Sequence, residues 1–143
     1  MKRRLIGLLA VFVLVLAACA SSGAPETFED QPGPLAESIA EFATELVGSD
    51  NPDQIPLVRR NFLEGCMLDG NLRIDGLSGA PLAEACGCSY DTIVGFIIDN
   101  PPADRTAFDT FRDLDNSLKD DGTVLSNQWA DLLAESCGIG VES

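Results

Sequence analysis

Pro81-Leu82-Ala83-Glu84-Ala85-Cys86-Gly87-Cys88-Ser89-Tyr90-Asp91-Thr92-Ile93-Val94-Gly95-Phe96-Ile97-Ile98 is the stretch that decides the fold. Leu82, Cys86, Tyr90, Ile93 and Ile97 fall on one face at helical spacing. Residues 93–98 are apolar nearly all round. A helix of that kind is contacted from several sides, so this segment is expected at the centre of the domain. Periodicity alone leaves a buried strand open for those six residues. Pro101-Pro102 stops the segment and starts the next.

Four more helical segments flank it. The first spans about 34–47, opens at Pro34 and repeats Leu35, Ile39, Phe42 and Leu46 on one face. The second starts near Pro56 and ends around Leu68. It carries Val58, Phe62 and Cys66 on one stripe, with Arg59, Arg60 and Glu64 facing water. The fourth, about 102–118, aligns Phe108, Phe111, Leu114 or Asp115, and Leu118. The fifth, about 124–136, aligns Leu125, Trp129, Leu132 and Leu133, with Cys137 just beyond and Gly138 as the cap. Asp120-Asp121-Gly122 is a turn. No alternation at period two is sustained, and there is no internal repeat. The expected fold is therefore all-α, a small bundle of about five helices over residues 34–143. Short loops between the last three favour antiparallel neighbours.

The chain opens differently. Lys2, Arg3 and Arg4 precede an apolar run from Leu5 to Ala18, which ends Leu16-Ala17-Ala18-Cys19. As a helix the run would reach about 21 Å, short of the roughly 30 Å of a bilayer core. A cationic start, a short apolar segment and small residues read as a secretory signal. The closing cysteine makes Leu16-Ala17-Ala18-Cys19 resemble the lipobox of bacterial lipoprotein precursors. That resemblance implies removal of residues 1–18 and acylation of Cys19 on sulfur, as by palmitate. It also implies a lipid-anchored position on the bacterial cell membrane, facing outside the cytoplasm. Two or more acyl chains anchor stably where one is marginal. Residues 19–33 read as the lipidated N-terminus and a flexible tether, within which Phe28 is a lone apolar residue able to dock.

Four cysteines remain: Cys66, Cys86, Cys88 and Cys137. An even number in a small exported domain favours disulfides. Pairing Cys86 with Cys88 would close a tight, strained ring and ranks last. Two pairings remain, Cys66–Cys86 with Cys88–Cys137 or Cys66–Cys88 with Cys86–Cys137, and the first is preferred. Cys-x-Cys with two scattered thiols fits neither zinc knuckles nor a Cys-x-x-Cys redox site.

Removing the signal takes away three positive charges, so the formal net charge moves from −14 to −17. Such a surface repels nucleic acid and attracts basic proteins, peptides or cations. The chain has no histidine, which removes the usual general base and the commonest metal ligand. The one lysine of the mature chain, Lys119, sits beside Asp120 and Asp121 and stays charged. No EF-hand register fits Gly122 or Gly76. The pairs Asp113 with Asp115, and Glu26 with Glu29-Asp30, read as solvated faces. No catalytic, metal or cofactor-binding residue is expected, and the chain is not expected to be an enzyme.

The leading expectation is a tethered domain that binds a basic envelope or secreted protein, as inhibitor or immunity lipoproteins do. Alternatives are a helical pocket for a small or lipid ligand around Ile93 and Ile97, and a hydrolase with facing carboxylates in a groove. Tyr90 and Trp129 are expected in the core. The glycine-rich loop 69–80 places Leu72, Ile74 and Leu77 either at a contact surface or in the core.

Overall fold

The computed structural model describes residues 24–48, 51–120 and 125–141. The signal segment 1–18, Cys19 and most of the 120–124 turn lie outside the described residues. Among the described residues there are five helices: α1 (Ala43–Val47), α2 (Leu57–Glu64), α3 (Gly79–Asp99), α4 (Ala107–Lys119) and α5 (Asn127–Cys137). Among the described residues there is no strand beyond two isolated bridges, Gly33 with Ile55 and Ile74 with Val141.

Helix α3 is the floor on which α1, α2, α4 and α5 all pack. Residues 93–98 are helical, with Ile93 and Ile97 fully buried. Pro81 stands in the first turn of α3, where a missing N–H leaves no hydrogen bond unmade. Gly87 explains the residue between the two central cysteines. A Cβ there would stand 2.6 Å from the carbonyl oxygen of Leu46 and 2.8 Å from that of Glu45. The end of α1 therefore rests on α3 as closely as only glycine permits.

Both bridges take the preferred pairing, Cys66–Cys86 and Cys88–Cys137, each with Cα atoms 5.9 Å apart. The first ties the wide π-type turn at Gly65–Asp69, which extends α2, to α3. The second ties the end of α5 to the middle of α3.

Two helices are shorter than their sequence patterns suggest. Residues 34–39 are not helical; only a 3-10 turn at Ala40–Phe42 and α1 follow. The backbone of this segment is engaged elsewhere. Gly33 and Ile55 exchange both N–H···O bonds, at 3.0 and 2.8 Å, and the Leu35 N–H donates to the Pro52 carbonyl at 3.2 Å. Leu35, Ile39 and Leu46 are nevertheless buried, so the spacing reported burial rather than helix. Helix α4 begins at Ala107 instead of near Pro102. Thr106 sets that start: its Oγ1 accepts the Asp109 N–H at 3.0 Å and donates to the Asp109 carboxylate at 2.7 Å, a reciprocal N-cap.

Residues 26–33, read as tether, are packed onto the fold. The Asp30 carboxylate accepts the N–H groups of Glu26 and Thr27 and the Thr27 hydroxyl. The Asp30 carbonyl accepts the Leu57 N–H at 3.1 Å. The Phe28 ring meets Phe108 edge-on at 5.3 Å and Phe111 at 5.7 Å. Phe62, Tyr90 and Phe111 complete this ring cluster at 5.5–5.9 Å. On the other side of α3 a smaller pair, Phe96 and Trp129, meets edge-on at 5.5 Å. Loop 69–80 divides its apolar residues: Leu72 is buried, Ile74 bridges to Val141, and Leu77 stays exposed.

Candidate functional site

A half-open cleft of about 390 Å³ lies where four stretches of chain meet. The 26–33 lap supplies Phe28 and Glu29, the 51–56 loop supplies Asn51, Gln54, Ile55 and Pro56, and α2 supplies Arg59. Helix α3 supplies Tyr90, Val94 and Ile98 at i, i+4 and i+8, one stripe along the helix. Ile98 is 52% exposed, an unusual position for a large apolar side chain and the apolar rim of the cleft. Ile93 and Ile97, the centre of the expected pocket, belong to the packed core instead. The cleft opens on the neighbouring stripe.

Arg59 forms part of the cleft wall. Its guanidinium lies 5.3 Å from the centre of the Tyr90 ring and pairs with Asp91 at 3.1 Å, with only 12% of the side chain exposed. A guanidinium stacks well on an aromatic face while keeping its in-plane donors for a carboxylate. Burial pushes the Tyr90 phenol well above its ordinary range, and the Arg59 charge opposes that shift. Tyr90 is therefore a neutral phenol at every physiological pH. Arg59 and Arg60 do not face water as their helical positions suggested. Arg60 donates to the carbonyls of Ile55 at 3.0 Å and Gln31 at 2.8 Å, stitching the lap to the 51–56 loop.

Asp113 and Asp115 have separate partners. Asp113 pairs with Arg105. Asp115 is 7% exposed, not on a solvated face, and its carboxylate pairs with Lys119 one turn on. The aliphatic stem of a lysine at i+4 lets its ammonium reach such a buried carboxylate. Asp30 is held below the ordinary carboxylate range, chiefly by the Glu26 N–H, then by the Thr27 hydroxyl and N–H. Glu29 is exposed at the cleft. Among the described residues, no three His, Cys, Asp or Glu side chains converge to hold a metal.

Tyr90 is buried, as its place on the α3 face suggested. Trp129 is half-buried, packed against the core and edge-on to Phe96. The four cysteines sit where the sequence pairs them, and Cys19 lies outside the described residues. Sequence reasoning missed Phe28, Glu29, Arg59 and Ile98 as cleft residues. Only the lone apolar Phe28 carried a local signal. Among the described residues no helix is long and apolar enough to cross a membrane. The chain matches no protein-family model, no curated protein and no solved structure.

Proposed function

We propose that this chain is a membrane-anchored extracytoplasmic lipoprotein whose folded domain binds a basic envelope or secreted protein. The observation that carries the reading is the pairing of a lipobox-like Leu16-Ala17-Ala18-Cys19 with a fold closed by two disulfides. Disulfides persist in oxidising compartments, which is where such a signal would send the chain. The net charge of −17 left after removal of the signal supports a basic partner, because complementary charge steers encounter. Binding is preferred to catalysis because the sequence lacks histidine and the buried carboxylate, Asp115, is already ion-paired.

Intact mass of the protein from its native membranes tests the anchor. The expected chain begins at Cys19 carrying acyl mass, and Cys19→Ala shifts the protein to the soluble fraction. A chain that retains Met1, or that carries four reduced thiols, would overturn the reading. Capture of basic proteins on the mature domain tests the partner. Binding should weaken steeply as salt rises; retention unchanged by salt counts against a charge-selected partner.

The cleft supports a second reading, a small amphipathic ligand held between Arg59 and the Val94–Ile98 stripe. It predicts that Ile98→Glu abolishes uptake of such ligands while leaving capture of the basic protein intact.

A further inference from the structure

The two disulfides leave α3 two residues apart and meet different surroundings. Cys66 and Cys86 are 3% and 0% exposed. Cys88 and Cys137 are half-buried, and Cys137 is the last residue of α5, followed by the exposed Gly138. Thr92 stands one helical turn beyond Cys88. Its Oγ1 lies 3.4 Å from the Cys137 sulfur and 3.8 Å from the Cys88 sulfur. A hydroxyl in that place can rotate to donate to whichever sulfur becomes a thiolate. The buried bridge has no such hydroxyl among its described hydrogen bonds.

We propose that Cys88–Cys137 is a thiol–disulfide exchange site, opened by an extracytoplasmic dithiol reductant while Cys66–Cys86 stays closed. A thiolate of the reductant attacks the Cys137 sulfur and forms a mixed disulfide. The Cys88–Cys137 bond breaks, and its electron pair leaves on the Cys88 sulfur, where the Thr92 hydroxyl donates. Cys137 stands beside the exposed Gly138 and is the sulfur the reductant reaches. Cys88 leaves with the Thr92 hydroxyl 3.8 Å away. The second thiolate of the reductant then attacks its own sulfur in the mixed disulfide, and Cys137 departs and takes a proton from water. Two electrons pass to the bridge, two protons follow, and the reductant is left as a disulfide.

Charge narrows the reductant. Glu84 lies one turn before Cys88 on the same helix face, and the whole surface is acidic. An anionic thiol is repelled, so the reductant presents a neutral or basic face. The proposal rests on export of the chain, as proposed above, and not on acylation of Cys19.

The test uses the folded mature chain under limiting reductant, with alkylation of free thiols and peptide mapping by mass. One arm uses dithiothreitol, a neutral dithiol, and the other uses anionic glutathione. In both arms Cys88–Cys137 should open while Cys66–Cys86 stays intact, the latter opening at about a tenth of the rate or slower. Dithiothreitol should leave Cys88 and Cys137 both alkylated. Glutathione, a monothiol, should leave Cys88 alkylated and Cys137 carrying glutathione until a second glutathione releases it. Added salt should speed the glutathione arm and leave the dithiothreitol arm unchanged. Thr92→Val should slow opening of Cys88–Cys137 several-fold, Thr92→Ser should restore it, and neither should alter Cys66–Cys86. Simultaneous opening of both bridges, or earlier opening of Cys66–Cys86, overturns the proposal. A Thr92→Val rate equal to wild type overturns the role given to that hydroxyl.

Discussion

The two sides of α3 are built by different means. On one side α1, α2, α4 and the 26–33 lap pack against it through buried rings, a backbone contact at Gly87 and a buried disulfide. On the other, α5 rests on Leu133, one half-open pair of rings and a half-buried disulfide. The first side joins buried rings to its bridge. The second joins its bridge to fewer and smaller buried side chains, Leu133 with the flanking Leu125 and Ile139. Burial of rings and aliphatics at roughly 25 cal/mol per Å² accumulates where area is large. A short helix with one fully buried side chain has little area to contribute, and a cross-link compensates by limiting the unfolded chain.

Removing the cross-links should expose the contrast most strongly. Cys88→Ala with Cys137→Ala opens a bridge spanning 49 residues and should cost about 4 kcal/mol by chain entropy. The matching pair Cys66→Ala with Cys86→Ala opens 20 residues and should cost about 3 kcal/mol from the same source. Denaturant unfolding measures both, and hydrogen exchange should locate the first loss in α5 and the second across the whole core. Equal, global loosening in both variants would erase the distinction between the sides. Gly87→Ala probes the tightly packed side alone. Its methyl meets backbone that cannot rotate away, so a loss of about 1–3 kcal/mol is expected, with exchange rising in α1 and not in α5.

Trp129→Ala probes the open side. Loss of the edge-on contact with Phe96 should cost about 1 kcal/mol beyond the apolar area it exposes, the total staying below that for a fully buried ring such as Phe111. The smallest effect is a pH dependence in the lap. The folded-state pKa of Asp30 lies below its ordinary 3.8, so its contribution is present above that value. It is lost as pH falls through the lower folded-state value. Asp30→Asn should therefore loosen the Glu26 and Thr27 amides at neutral pH, and the difference from wild type should vanish in strong acid. Hydrogen exchange of those two amides reads it directly.

Much of this arrangement is legible in the chain. Leu82, Cys86, Tyr90, Ile93 and Ile97 mark the central helix because a fully surrounded helix needs apolar residues on most of its circumference. The cysteines are half legible: the tight ring that Cys86 with Cys88 would close sends them to separate partners, but which of them takes Cys66 and which Cys137 is decided only by the packing of α2 and α5 on α3. Thr106-x-x-Asp109 is a capping signal that Pro101-Pro102, standing before it, obscured. The start of the first segment was illegible for a different reason. Leu35 and Ile39 are spaced for a helix and buried, but the backbone at Gly33 and Leu35 pairs with the 52–55 loop, some twenty residues away in sequence. The cleft is equally non-local, assembled from four stretches that no window contains. Asp115 looked solvated because its helix is rich in charge, and only the packing of α4 on its neighbours buries it.

The packed lap would also shorten any leash that ran from an acylated Cys19. Only seven residue steps separate Cys19 from Glu26, the first residue whose N–H is held by Asp30. Fully stretched, such a span reaches at most about 25 Å. A domain anchored by that sulfur would skim the lipid surface rather than roam above it. Its cleft, partly walled by the same lap, would search a thin layer of space, and a partner moving in or along that layer would meet it far more often than one in open solution.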